Sequence, residues 1–131
     1  MNIVIIGAAG MVGRKLTDAL VASGTLAGRP IEALTLVDVV EPAMPQAAGM
    51  TIRTRAVDIA DAGVAATLIA ERPDVIFHLA AIVSGEAELD FEKGYAINLD
   101  GTRYLFEAIR QAGQSAPYCP RFVFTSSIAV F

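Results

Sequence analysis

Apolar positions along the chain alternate between short unbroken runs and longer stretches at helical spacing. Ile3-Val4-Ile5-Ile6 is wholly aliphatic and ends at a glycine, which predicts a strand buried on both faces. From Met11 to about Ser23 the apolar residues Met11, Val12, Leu16, Ala19 and Leu20 alternate with Arg14, Lys15 and Asp18. That spacing predicts an amphipathic helix, stopped by Gly24, with Gly28-Arg29-Pro30 as a loop. Leu34–Val37 reads as a second strand ending at Asp38, and residues 41–49, with two prolines, as a loop. Thr51–Val57 is a third and more polar strand, suited to a sheet edge, and Val64–Ala70 a short helix closed by Arg72-Pro73. Val75–His78 and Phe122–Phe124 are the fourth and fifth strands, the last also read as buried. Between them a long helix is expected over roughly 91–113, with Leu99, Leu105, Phe106 and Ile109 on its apolar face. There is no internal repeat. Strands separated by helices of this length imply right-handed βαβ units, and so an α/β fold with a doubly wound parallel sheet.

Composition sharpens this picture in two ways. A 131-residue chain that is 54% hydrophobic, with mean hydropathy +0.53, fits one domain (1–131) whose strands are covered on both faces. It also suggests surface that packs on something further. Net charge is −4 and no basic block occurs, which argues against nucleic acid as a partner. No apolar run approaches the ~18 residues of a membrane span. The apolar start has no positive leader, so a soluble, cytoplasmic protein is expected. One cysteine (Cys119) and one histidine (His78) make a disulfide within the chain impossible and a metal site unexpected.

Candidate chemistry sits at the strand ends. Gly7, Gly10 and Gly13 fall between the first strand and the first helix. A turn there can bring backbone N–H groups and a helix N-terminus against a diphosphate only where no Cβ intervenes. Gly13, already inside the helix, permits close helix–strand packing. Asp38 ends the second strand, where a dinucleotide fold places the adenosine ribose. A carboxylate there accepts from the ribose hydroxyls and repels a 2′-phosphate, and no arginine follows in Val39-Val40-Glu41. The expected cofactor is therefore NAD rather than NADP.

The glycine spacing resembles that of the short-chain dehydrogenase/reductase superfamily. Further segments resemble its extended branch, the NAD-dependent epimerase/dehydratase family. These are Asp58-Ile59, His78-Leu79-Ala80-Ala81, Asn98-Leu99-Asp100-Gly101-Thr102 and Thr125-Ser126-Ser127, in the family's order along the whole chain. Ile6 departs from the threonine usual before the first glycine, and Phe131 from the usual tyrosine after the serines. The resemblance implies a Rossmann-type NAD(P)-binding fold in which Gly7, Gly10, Met11, Val12 and Gly13 approach the cofactor phosphates. Asp58 and Ile59 would border its adenine, and Leu79, Ala80, Ala81 and Val83 its ribose and nicotinamide. Asn98 would help fix the local backbone, and Ser127 would be the catalytic hydroxyl that holds the reacting oxygen. From the residues alone, a capping carboxylate at Asp58 and tight packing at the alanine pair stay open. The resemblance gives His78 no role in proton transfer, so it is read as structural.

The stretch Ala80–Glu88 resembles members that oxidise a small four-carbon sugar acid at its 2-hydroxyl, with Ser84 and Ser127 facing substrate. A nucleoside-diphosphate-sugar epimerase or dehydratase, or a non-catalytic NAD-responsive regulator, shares these motifs. The family's catalytic tyrosine, with a lysine four residues on, has no match. Tyr95, Tyr104 and Tyr118 are followed at that distance by Leu99, Ala108 and Phe122. The resemblance places that pair near or beyond Phe131, so the chain is expected to be a part truncated after the fifth strand, inactive alone. The whole protein would form a homodimer through the long helix.

Overall fold

Strand β1 (Asn2–Ile6) is the axis of the molecule, and Ile3, Val4, Ile5 and Ile6 are each at most 4% exposed. The structure is a computed structural model that describes residues 1–127, except for the side chain of Ser84. On one side β1 pairs in parallel with β4 (Ala33–Asp38), and on the other with β6 (Val75–His78), so that Ile5 lies between Leu36 and Phe77. Strand β5 (Thr51–Ala56) flanks β4 and β7 (Arg121–Phe124) flanks β6, which gives the parallel order β5-β4-β1-β6-β7. The chain builds outward from β1 to β5 and then crosses back to β6. Its direction of winding thus reverses between β1 and β6, which opens a crevice at their carboxyl ends.

Side chains alternate across each strand, and the aliphatic run feeds two cores. Val4 and Ile6 join Val37, Ile76, Leu68 and Leu105 on the face covered by α2 (Val64–Ala70) and α5 (Gly101–Ser115). Ile3 and Ile5 join Leu34, Leu36 and Leu20 on the face covered by α1 (Met11–Ser23). Fully burying each such aliphatic side chain is worth about 1.5–3 kcal/mol, which explains why unbroken apolar runs form the inner strands.

Several details differ from the pattern along the chain. Helix α1 has the expected bounds, and Gly24 caps it at φ 64°, but its inner stripe is Gly13, Thr17 and Leu20. Met11 and Val12 are 66% and 53% exposed. The helix lies too close to the glycine turn for a side chain at Gly13, where a Cβ would stand 2.1 Å from the Gly7 carbonyl oxygen. Small residues therefore take the inner stripe, and Thr17 returns its hydroxyl to the Gly13 carbonyl. The expected loop at Gly28-Arg29-Pro30 is part of a small hairpin, β2 (Thr25–Leu26) with β3 (Arg29–Pro30). Ala27 and Gly28 both take positive φ there, as a two-residue hairpin turn requires. The third strand ends at Ala56 instead of Val57.

The expected long helix runs from Phe91 to Ser115 as α4 (Phe91–Tyr95), a π-helical turn (Ala96–Asp100) and α5, and a separate short helix, α3 (Ser84–Leu89), precedes it. Gly94, Ile97, Gly101, Leu105 and Ala108 form one inward stripe at three- and four-residue spacing, whereas Leu99 and Phe106, expected on the same face as Leu105, are each 52% exposed. Strand β7, expected to be buried, has one neighbouring strand, and only Phe122 is half-buried. Phe106 stacks on that ring with centroids 4.8 Å apart.

Candidate functional site

At the crevice the strand ends enclose a cleft of about 370 Å³. Its floor is Ile6, Gly7, Ala9 and Gly10. One wall is Asp38, Val39 and Val40 after β4 with Val57, Asp58 and Ile59 after β5, and the other is Leu79–Ile82 after β6, with Ile97 of the π turn above. The lining is mainly apolar, and its charged members are the two carboxylates.

The turn after β1 is built by hydrogen bonds that leave little freedom. Gly7 and Ala8 both donate their N–H to the Val37 carbonyl, at 2.8 and 3.0 Å. Ala9 N–H donates to Asp38 Oδ2 at 2.9 Å, and Val39 N–H to the other carboxylate oxygen at 2.8 Å. Gly7 takes φ +91°, and a Cβ there would stand 2.7 Å from the Ala80 amide nitrogen. Only glycine lets β1 and β6 approach so closely. The first N–H groups of α1, at Met11, Val12 and Gly13, have no partner within a helix. No side chain caps them at Gly10. Around a Cβ at Gly10 the nearest atom is the Gly7 oxygen at 3.3 Å, and beyond it the space is open. The turn thus presents the positive end of a 13-residue helix to the cleft, with no Lys or Arg in the lining.

Asp58 accepts from Ala60 N–H at 2.9 Å, which makes it the anchor of a short turn rather than a helix cap. Beside it, Ile59 is buried against Gly101, where a Cβ would lie 2.9 Å from the isoleucine methyl. Leu79 N–H donates to the Ile6 carbonyl at 2.8 Å, which carries the β1–β6 pairing into the cleft wall. Asn98 lines nothing itself. Its amide grips the backbone of Ile82, accepting from the N–H at 2.9 Å and donating to the carbonyl at 3.0 Å.

The sites expected from the sequence thus separate. Gly7, Gly10, Asp38, Asp58, Ile59, Leu79, Ala80 and Ala81 converge on the cleft. Met11 and Val12 begin the helix at its floor, and Gly13 is buried behind the turn. Val83 is 75% exposed and outside the lining. Thr125 N–H donates to the His78 carbonyl at 3.3 Å, so the exposed Ser126 and Ser127 follow β7 at the carboxyl end of the sheet. Ser84 is the first residue of α3, and its side chain, like the expected Val130-Phe131 departure, lies outside the described residues. Sequence reasoning gave no place in the cleft to Ile6, Ala9, Val39, Val40, Val57, Ile82 and Ile97. Val39 and Val40 adjoin Asp38 and were legible from that neighbour, whereas Ile97 comes from a helix distant in the chain from the rest of the lining.

Among the described residues no tyrosine lines the cleft. Tyr118 sits at the opposite end of the sheet, where its hydroxyl donates to the Pro73 carbonyl at 2.8 Å and burial raises its pKa to about 12. His78 is fully buried, which lowers its pKa to about 4 and keeps the ring neutral. No group of three potential metal ligands occurs among the described residues, and no helix there is long and apolar enough to cross a membrane.

A parallel sheet with this winding, a glycine turn opening a helix, and a strand-end carboxylate define a dinucleotide-binding domain of Rossmann type. The chain belongs to the NAD-dependent epimerase/dehydratase family, which matches residues 3–131. It is 42% identical over 135 residues to D-erythronate dehydrogenase of Cupriavidus necator, covering 100% of this chain and 40% of that protein. In structure it is similar to the nucleoside-diphosphate-sugar epimerase of Agrobacterium tumefaciens, with TM-score 0.97 and 63% identity, covering 100% of this chain and 38% of that one. It is also similar to uronate dehydrogenase of Agrobacterium tumefaciens solved with NAD, with TM-score 0.70 and 32% identity, covering 96% and 40%. The chain thus spans about two-fifths of the length of the relatives it matches.

Proposed function

We propose that this chain is the NAD-binding part of a dehydrogenase that oxidises the 2-hydroxyl of a small sugar acid such as D-erythronate. The observation that carries the cofactor reading is the placement of Asp38. It is held by two backbone N–H groups at the rim of a cleft whose floor offers free helix donors. The 42% identity to D-erythronate dehydrogenase supports the substrate reading.

In this reading Gly7 and Gly10 leave room for the diphosphate, Met11 and Val12 donate to it, and Gly13 allows α1 to come close. Asp38 accepts from the adenosine ribose, with Val39 and Val40 beside it. Asp58 and Ile59 border the adenine. Leu79, Ala80, Ala81 and Val83 run along the nicotinamide side, and Asn98 holds that segment through Ile82. When bound, NAD would supply the acceptor for the hydride that leaves the substrate carbon. Ser127 donates a hydrogen bond to the reacting oxygen, and Ser84, whose side chain lies outside the described residues, is the second residue assigned to the substrate. The proton acceptor is a tyrosine, with its lysine, outside the residues that form this cleft. The cation lowers the pKa of the phenol towards working pH.

A second reading, a nucleoside-diphosphate-sugar epimerase, is favoured by the 63% identity to the Agrobacterium tumefaciens protein so described. Both readings require NAD, and the partner in either is a small molecule. We also propose a homodimer, because Phe91, Tyr95 and Leu99 lie one turn apart on an exposed face, with Phe91 and Tyr95 stacked at 4.7 Å.

Calorimetric titration with NAD and NADP tests the cofactor reading, and binding of NADP alone would overturn it. NADH formation by the whole protein separates the substrates. Turnover with D-erythronate supports the first reading, whereas interconversion of a nucleoside-diphosphate sugar without net NADH supports the second.

A further inference from the structure

The only histidine of the chain stands where three pieces of the cleft meet, and its bonding is one-sided. His78 ends β6 with none of its surface exposed, between the rings of Phe122 and Phe124 at 6.0 and 5.8 Å. Its Nε2 lies 2.8 Å from Thr102 Oγ1, and Nδ1 has no partner among the described residues. Thr102 Oγ1 in turn donates to the Asn98 carbonyl at 3.3 Å. Either group can donate in the first bond, but a hydrogen on Nε2 leaves the hydroxyl proton for the Asn98 carbonyl and puts no N–H at Nδ1, which has no acceptor among the described residues. The neutral ring then carries its hydrogen on Nε2, and Nδ1 is the bare atom left among the aromatic rings.

The polarity of this chain has a structural consequence. It runs from the end of β6 through Nε2–H to Thr102, and from the Thr102 hydroxyl to the carbonyl of Asn98. Asn98 lies within the π turn, at a point where the ordinary helical bonding pattern is interrupted. The side chain of the same Asn98 grips both polar atoms of the Ile82 backbone. Ile82 closes the wall Leu79–Ile82, whose other end is pinned to β1 by the Leu79 N–H. The His78 carbonyl also accepts from the Thr125 N–H, at the start of the segment that leads to Ser127.

We infer that His78 and Thr102 are a positioning pair that locks the π turn to the end of β6, and through Asn98 sets the wall facing the nicotinamide half of the cofactor. Neither residue touches the cleft, and both act through Asn98. The inference rests on the reading that the cleft takes NAD, and it adds residues that this reading did not use. The adenosine and diphosphate half is built separately, by the glycine turn, Asp38 and the start of α1. Loss of the pair should therefore weaken binding of the whole dinucleotide far more than binding of ADP, which lacks the nicotinamide ribose. A slot held this closely loses affinity steeply when its support is loosened.

The experiment is calorimetric titration of NAD and of ADP into the wild-type protein, Thr102→Val and Thr102→Ser. Valine keeps the shape and removes the hydroxyl, and serine restores it. For Thr102→Val the expected result is a fivefold or greater loss of NAD affinity, with ADP affinity within twofold of wild type, and recovery of NAD affinity in Thr102→Ser. Equal NAD affinity in all three proteins, or an equal loss for NAD and ADP, would overturn the inference. Failure of the wild-type protein to bind NAD would instead overturn the cofactor reading. Should Thr102→Val not fold, the ring nitrogen signals of wild-type His78 decide the matter by nuclear magnetic resonance. A hydrogen on Nε2 supports the chain as drawn. A hydrogen on Nδ1 would overturn it, because Thr102 would then donate to the ring and the Asn98 carbonyl would lose its partner.

Discussion

The carboxylate of Asp38 and the backbone N–H of Ala9 lie 2.9 Å apart, a hydrogen bond that ties the end of β4 to the glycine turn after β1. The residue proposed to read the ribose therefore also shapes the floor on which the diphosphate would rest. With Val39 N–H on its other oxygen, the carboxylate is oriented before any ligand arrives, and little ordering remains to be done on binding.

Asp38→Ala removes both functions and is expected to lower NAD affinity about tenfold or more, since hydrogen bonds to a charged group are worth roughly 1.5–3 kcal/mol. Asp38→Asn keeps one acceptor and discards the charge. Its main effect should be a narrower preference for NAD over NADP. Calorimetry with both cofactors checks this, and an unchanged preference in both variants would remove Asp38 from the ribose site.

Gly13→Ala tests the packing of α1 against the turn. A Cβ at Gly13 would meet the Gly7 oxygen at 2.1 Å and the Ala8 Cα at 2.7 Å, both backbone atoms that cannot turn aside. Overpacking of this kind costs roughly 1–3 kcal/mol, and the variant should lose that much stability in urea unfolding. Gly85→Ala, where nothing lies within 4 Å of the added carbon, is the control and should not share the loss.

His78 predicts a pH dependence. Burial lowers its pKa from 6.5 to about 4, so between those values the unfolded chain binds the extra proton and the folded chain does not. Stability is then fully present above pH 6.5, falls as the pH drops towards 4, and levels off below it. From a shift of that size the loss across the window is on the order of 3 kcal/mol. His78→Gln should show a shallower decline of the thermal midpoint between pH 6.5 and 5. An identical decline would assign the effect to the carboxylates instead.

The exposed stripe Phe91, Tyr95 and Leu99 makes a prediction about assembly. Contiguous apolar surface of this kind marks a contact site on a soluble protein. Tyr95→Asp should convert a dimer to a monomer in analytical ultracentrifugation of the whole protein, with NAD affinity retained. A dimer that survives the substitution would place the interface elsewhere.

Much of this molecule was legible in the order of its residues, for a physical reason. The aliphatic run Ile3–Ile6, the glycines at 7, 10 and 13, and the carboxylate at Asp38 each act over a few neighbouring positions. A backbone that must turn without a Cβ, or a strand buried on both faces, leaves its mark locally. The family's motifs lie on those same stretches, so the sheet and most of the cleft are legible in them. What tertiary structure alone decided depends on contacts between distant segments. The π turn is tied down by distant segments, with Asn98 anchored on Ile82 and Thr102, one turn on, anchored on His78. The inward stripe there is built partly of small residues, Gly94, Gly101 and Ala108, which hydrophobicity does not mark, so Leu99 and Phe106 read as core and prove to be exposed. Likewise Gly13 and Thr17 line the inner stripe of α1 because the helix presses on the turn, a closeness that only the assembled sheet imposes.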